Sequence, residues 1–117
     1  MRINVDFEAI VHDVLIEIDL KNSANCENEK AELKGDDRAI DLTWDRYERH
    51  DDKLNAIEHI LRYGLGIMTT YTTNGFGYII GVTFTGPDFE ETFEIHLQGW
   101  IVRHIESEKK RILGTYL

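Results

Sequence analysis

Side chains that could catalyse a reaction are present in this sequence, but their spacing matches no catalytic arrangement. Cys26 is the only cysteine, and its acidic neighbours Glu27 and Glu29 oppose formation of the nucleophilic thiolate. The two serines, Ser23 and Ser107, lie outside any G-x-S-x-G sequence, the turn that exposes a hydrolase nucleophile. We therefore expect no catalytic residue and no enzyme activity.

Histidines and carboxylates could together hold a metal ion, and three such pairs are close in sequence. They are Glu58 with His59, Glu94 with His96, and His104 with Glu106. None of the pairs fits an H-E-x-x-H sequence, an EF-hand loop or a cysteine–histidine site. Because the chain has 22 acidic residues and five histidines, pairs of this kind arise by chance. The sequence predicts no metal and no other cofactor.

Acidic residues are concentrated near the middle of the chain. Residues 36–52 contain seven acids against three arginines. Four of the acids are spaced 4, 3 and 4 residues apart, which would form one stripe along a helix, and a fifth precedes them. The predicted partner-binding residues are Asp37, Asp41, Asp45, Glu48 and Asp52. Such a stripe repels itself and attracts a basic surface over a distance; a solvated helix face is the alternative interpretation.

A second group of polar side chains could bind a ligand without using charge. Residues 64–87 contain no charged residue and are rich in threonine and tyrosine. Hydroxyl groups presented by a sheet could line a pocket for a small polar molecule or a nucleotide. The candidate ligand-binding residues of this alternative are Thr70, Tyr71, Thr72 and Tyr78.

Part of the same stretch resembles a nucleic-acid-binding sequence. Residues 75–81, Gly-Phe-Gly-Tyr-Ile-Ile-Gly, resemble the central strand of RNA recognition motif domains, in which exposed aromatic side chains stack on bases. This chain has Asn74 in place of the basic residue of that motif and Gly81 in place of its last aromatic. Since a net charge of -9 opposes binding to phosphate groups, we expect no direct contact with nucleic acid.

The elements that position these residues follow from the hydrophobic pattern. Apolar residues at helical spacing predict a first helix over residues 7–18. Because β-branched residues are abundant there, a strand over residues 14–20 is an alternative. Residues 21–43 are the least decided segment, since a short helix over 27–34 and a mobile loop fit equally well.

A second helix is predicted from Thr43 to Gly64, where the glycine would end it, with a break at residues 50–52. Within it, Glu58 and Arg62 have the spacing of an ion pair, as do Asp45 and Arg49. Its apolar positions are Trp44, Tyr47, Leu54, Ile57 and Leu61. A last helix follows Gln98-Gly99, with a buried side made of Trp100, Ile101, Ile105, Ile112 and Leu113.

Three strands are predicted between the second and the last helix. Runs of β-branched and aromatic residues cover residues 67–73 and 76–84. Asn74-Gly75 between them is the sequence of a two-residue hairpin turn. Residues 89–97 alternate between apolar and polar side chains, which predicts the third strand.

These elements predict an α+β fold, a three-stranded antiparallel meander packed against two to three helices in the order helix, loop, helix, three strands, helix. A length of 117 residues, with 42% hydrophobic and 30% charged residues, predicts a single globular domain over residues 1–117. The N-terminus lacks the pattern of a signal peptide, and one cysteine favours a reducing compartment. We expect a cytoplasmic protein that does not bind membranes.

The sequence favours a small acidic inhibitor of the immunity or phage anti-defence type. Its acidic helix would cover the basic, nucleic-acid-binding surface of a partner protein such as a nuclease. Sequestration of a small molecule or nucleotide by the threonine- and tyrosine-rich sheet is the alternative. A homo-oligomer formed through the uncharged sheet is a further expectation.

Overall fold

Two long antiparallel helices form the body of the molecule. The computed structural model describes residues 6–115. Helix α1 covers Phe7–Lys34, helix α2 covers Asp37–Leu65, and only Gly35 and Asp36 separate them. A link of two residues forces consecutive helices to fold back on each other as a hairpin.

Aspartate side chains begin both helices, and a glycine ends the first. A carboxylate oxygen of Asp6 accepts a hydrogen bond from the Ala9 N–H at 3.3 Å, and Asp36 does the same for Ala39 at 3.1 Å. Each satisfies a backbone donor that the first helical turn leaves unpaired. Gly35 ends α1 with a φ of 67°, a conformation that glycine adopts without strain.

The helices are longer than the sequence predicts. The undecided segment 21–43 is helical except at the two-residue link, and the alternative strand over 14–20 does not form. The predicted break at residues 50–52 is wrong, because α2 continues through it. Thr43 does not begin α2; it is buried, and its hydroxyl donates to the carbonyl oxygen of Ala39 inside the helix at 2.7 Å.

Gly66, not Gly64, ends α2. Gly66 has a φ of 66°, and its N–H donates to the carbonyl oxygen of Arg62 at 3.1 Å. The N–H of Ile67 then donates to the carbonyl oxygen of Leu61 at 2.9 Å. This pair of bonds satisfies carbonyl groups that the helix end would leave free. Gly64 lies inside the last turn of the helix.

The predicted meander is confirmed. Strands β1 (Met68–Thr73), β2 (Ile79–Thr85) and β3 (Glu90–Glu94) pair antiparallel in that order. One face of the sheet packs on the helices with the row Tyr71, Val82 and Phe93, and the opposite face carries the row Thr70, Thr83 and Thr92. Strand β3 is shorter than the predicted 89–97.

The predicted two-residue turn at Asn74-Gly75 is wrong, since five residues connect β1 to β2. A side-chain oxygen of Asn74 accepts hydrogen bonds from the N–H groups of Phe76 and Tyr78, both at 3.0 Å. Gly77, with a φ of 87°, is the residue that needs the left-handed conformation.

The start of β2 is held by a side chain from α1. The buried amide of Asn22 donates to the carbonyl oxygen of Ile79 at 3.0 Å and accepts from the N–H of the same residue at 3.0 Å. This contact joins residues 57 positions apart. It fixes where the strand begins, which explains why the turn residues alone predict the wrong boundary.

The third helix and two hydrophobic clusters complete the fold. Helix α3 covers Gly99–Thr115. The larger cluster lies between α1, α2 and the sheet, and its buried members are Val11, Val14, Ile18, Leu54, Leu61, Ile67, Ile79, Val82 and Phe84. The smaller cluster joins α1, the β1–β2 connection and α3 through Cys26, Tyr78, Ile101 and Ile105.

The second half of α3 differs from the prediction. Ile112 and Leu113, expected on its buried side, are exposed, because only the first half of the helix reaches the smaller cluster. The molecule is elongated, with extents of 60 × 30 × 20 Å. In the described part of the chain, no helix combines the length and the apolar character that crossing a bilayer requires.

Candidate functional site

Helix α2 brings all five predicted partner-binding residues to one surface. They are exposed and follow one another along the first half of the helix: Asp37, Asp41, Asp45, Glu48 and Asp52. At 3.6 residues per turn and 1.5 Å per residue, they occupy an arc of about 80° over a length of about 22 Å. We call this surface the acidic face.

Few cations balance the acidic face. Asp45 pairs with Arg49 at 3.1 Å. Among residues 6–115, no cationic group lies within 4 Å of the other four carboxylates. Arg46, which is near in sequence, turns away and pairs with Glu27 of α1 at 2.9 Å. The acidic face therefore presents a net negative charge to solvent.

Trp44 lies beside the acidic face, and the sequence analysis missed it. It is three residues after Asp41 and four before Glu48, so it is a neighbour of both on the helix surface. Its side chain is 51% exposed. The apolar spacing of α2 placed Trp44 with the buried residues; its position between two acids of the stripe was the signal that could have identified it.

The Trp44 ring is held in place by its neighbours. It stacks on Tyr47, with the ring centroids 5.4 Å apart and the planes 20° from parallel. The ammonium group of Lys21 lies over the other ring, 5.1 Å from the centroid of Tyr47. An exposed aromatic ring that is already ordered loses little conformational freedom on binding a partner.

Polar contacts fix α2 against α1 behind the acidic face. Lys21 of α1 donates to Asp51 at 2.7 Å, and Glu17 contacts His50 at 2.6 Å. The amide of Asn28 reaches the hydroxyl of Thr43 at 3.0 Å. Because these contacts are at least partly buried, the helix is a rigid support for the charged side chains on its far side.

The residues of the alternative ligand site do not share a surface. Thr70 and Thr72 are exposed on the outer face of the sheet. Tyr71 points to the opposite side, where it packs against the larger cluster. Tyr78 is fully buried in the smaller cluster. On the outer face, the described hydroxyl contact is the one between Thr83 and Thr92 at 2.9 Å.

Other groups with chemical potential are buried or dispersed. Burial raises the pKa of the Cys26 thiol, which works against the thiolate form. His104 contacts Glu29 at 2.7 Å and joins α3 to α1. Tyr78 is buried, and Phe76 is half-buried with the ammonium group of Lys109 5.7 Å from its ring centroid. Within residues 6–115, no three histidine, cysteine, aspartate or glutamate side chains come together as a metal site would require.

Comparison with known proteins adds no relative. Neither family models, curated proteins nor solved structures give a significant match to this chain. The function must therefore be argued from the surface of the molecule.

Proposed function

We propose that this protein is a cytoplasmic, non-catalytic inhibitor that binds a basic surface of a partner protein through the acidic face of α2. The observation that supports the proposal is the row of carboxylates without balancing cations, with the exposed Trp44 beside it. The partner would be a nuclease or another protein with a basic groove for nucleic acid. Inhibition would follow from occupation of that groove, as in immunity or anti-defence proteins.

The spacing of the charges indicates what the acidic face can imitate. Five carboxylates spread over about 22 Å are about 5.6 Å apart on average along the helix axis, against about 3.4 Å for a single DNA strand measured along the duplex axis. The acidic face is therefore more sparsely charged than one strand, and much more sparsely charged than a duplex. We expect a partner that grips a single phosphate track.

Trp44 would add an aromatic contact, which a row of phosphate groups cannot make. Tryptophan is enriched among the residues that dominate binding energy in protein interfaces. The face of its ring also attracts the arginine and lysine side chains that line a nucleic-acid groove. The carboxylates would then speed association and orient the complex, and Trp44 would slow its dissociation.

Binding to a panel of basic nucleases tests the proposal. We expect binding at about 50 mM salt that weakens strongly at about 500 mM, because salt screens charge–charge attraction. The double variant Asp41→Asn/Glu48→Gln should bind at least about tenfold more weakly, a change of about 1.4 kcal/mol. Its matched control is Glu90→Gln/Glu94→Gln, which changes the net charge equally but lies on β3.

The contribution of Trp44 is tested in the same assay. Trp44→Ala should weaken binding about 30-fold, the effect of losing about 2 kcal/mol. Leu42→Ala serves as the control, since Leu42 is 55% exposed on the same helix but away from the acidic face. Salt-insensitive binding, no binding to any basic protein, or equal effects of the two charge variants would each refute the proposal.

A further inference from the structure

A cleft lies at the other end of α2, outside the acidic face. It has a volume of about 310 Å³ and runs between the last turns of α2 and the first residues of β1. The lining side chains that matter here are Glu58, His59, Arg62, Tyr63 and Thr69. Clefts that bind small molecules begin at about this size.

Two opposite charges in this cleft are not paired with each other. Glu58 and Arg62 have the spacing at which helical ion pairs form, and the sequence predicts a pair. Asp45 and Arg49, with the same spacing, do form one at 3.1 Å. Within the described residues, however, neither Glu58 nor Arg62 has an oppositely charged group within 4 Å. An anion and a cation are thus both available to a ligand.

A hydroxyl group without a partner lies just beneath the surface of the cleft. In the described part of the chain, the hydroxyl oxygen of Thr69, a residue of the cleft lining, is buried and has no hydrogen-bond partner. Thr69 shares its face of β1 with Tyr71, which packs on the helices outside the lining. Burial, and then the hydrogen bond and charge of Glu58, raise the pKa of the Tyr71 hydroxyl. Buried polar groups are nearly always satisfied in folded proteins, so unpartnered ones need an explanation.

One wall of the cleft is aromatic. Tyr63 is 70% exposed. The His59 ring centroid lies 4.6 Å from that of Tyr63 with the planes tilted by 49°, and the guanidinium group of Arg62 lies 5.4 Å from the Tyr63 centroid. The exposed Tyr63 ring can stack on an aromatic ligand.

We propose that this cleft binds a small molecule that carries an aromatic ring, an anionic group and an amino group that donates hydrogen bonds. Arg62 would bind the anionic group, Glu58 the amino group, and Tyr63 the ring, while the Thr69 hydroxyl would bond to a polar atom at its edge. Nucleoside monophosphates with a purine amino group and aromatic amino acids both have this chemistry. This proposal does not depend on the acidic face. It places small-molecule binding in the α2–β1 cleft, whereas the sequence predicted it on the sheet.

NMR titration of the full chain with each of these two classes of ligand tests the cleft proposal. One arm uses adenosine and guanosine monophosphates, and the other uses tryptophan, tyrosine and phenylalanine. We expect one arm to shift the amide signals of residues 55–69. Glu58→Gln and Arg62→Gln should each weaken that binding at least about tenfold. Glu48→Gln and Arg38→Gln, on the same helix but outside the cleft, should leave it unchanged.

The Thr69 hydroxyl permits a test that separates binding from folding. Thr69→Val removes a buried hydroxyl that has no partner, so it should raise the melting temperature and weaken ligand binding. A hydroxyl that stabilises the fold would instead lower the melting temperature when it is removed. The cleft proposal fails if neither arm shifts these signals, or if the Glu58 and Arg62 variants bind like the unmodified chain. Trp44→Ala should leave cleft binding intact, so this failure is distinguishable from failure of the proposed function.

Discussion

Polar side chains buried along α1 determine where the other elements attach. Asn22 holds the start of β2 through both backbone groups of Ile79. One turn and a half later, Asn28 bonds to α2, and Glu29 contacts His104 of α3 at 2.7 Å. A buried polar group is costly unless it is paired, so each contact favours one arrangement of the elements over others that bury the same apolar area.

Replacing Asn22 by alanine should therefore destabilise the fold. The substitution removes two hydrogen bonds and leaves a buried N–H and a buried carbonyl group of Ile79 unpaired, a loss of about 3 kcal/mol. Denaturant unfolding measures it, with Ser23→Ala, a neighbouring half-buried residue, as the control. A loss below about 1 kcal/mol would show that the contact does not hold the strand.

At the scale of elements, two glycines two residues apart have opposite roles. Gly66 has a φ of 66° and ends α2, whereas Gly64 lies inside the helix. A Cβ atom added at either position would meet no atom within 4 Å. Backbone conformation alone thus distinguishes the two positions.

Gly64→Ala and Gly66→Ala should change stability in opposite directions. Alanine at position 64 favours the helix and restricts the unfolded chain, which should stabilise the protein by about 0.5–1 kcal/mol. At position 66 the left-handed conformation strains alanine and should destabilise it by about 1 kcal/mol. Thermal unfolding of both variants tests this; a shift in the same direction would contradict the assignment of the helix end.

Most of the elements could be predicted from the sequence, and their boundaries could not. The change of hydrophobic period after α2 predicts helices and strands correctly, because burial of one face imposes that period. The boundary at Ile79 depends on Asn22, which is 57 residues away, and no local pattern contains that information. The helix over 21–34 was undecided because its buried side chains include Asn22 and Asn28, which a hydrophobic pattern does not count.

Helical spacing alone identifies the acidic face, whereas the exposure of Trp44 and the cleft depend on tertiary contacts. The spacing of the acids places them on one side of α2 whatever the rest of the fold does. The exposure of Trp44 depends on how α2 is turned against α1, and that is decided by tertiary contacts such as Lys21–Asp51. The cleft combines residues of α2 and β1, and its unpaired charges were predicted to pair.

At the scale of the whole molecule, stability depends on pH through two tyrosine hydroxyl groups, one beside each hydrophobic cluster. Tyr71 packs against the larger cluster and Tyr78 lies in the smaller one. Burial is the main cause that raises the pKa of both hydroxyls above the ordinary value of 10.0, and that of Cys26 above 9.0. Above these ordinary values the unfolded chain loses protons that the folded chain keeps, so stability falls as pH rises.

The protein should therefore unfold readily in alkali. Each tyrosine should cost about 1.4 kcal/mol for every pH unit between its ordinary pKa and its raised pKa. Melting temperatures between neutral pH and about pH 11 test this. Tyr78→Phe should flatten the decline, whereas Tyr63→Phe, whose ring is 70% exposed, is the control. A melting temperature that is constant over this range would show that these two tyrosines ionise as easily in the folded chain as in the unfolded chain.

Only Gly35 and Asp36 separate α1 from α2. The interface between these two helices therefore joins segments that follow each other directly in sequence. Contacts that close short loops form early, since they cost the least chain entropy. During synthesis the helical hairpin can therefore assemble before β2 has left the ribosome. The Asn22 amide can bond to Ile79 only after β2 has emerged, and Glu29 can contact His104 only after α3 has emerged. We therefore expect the helical hairpin to form before the contacts that the sheet and α3 make with it.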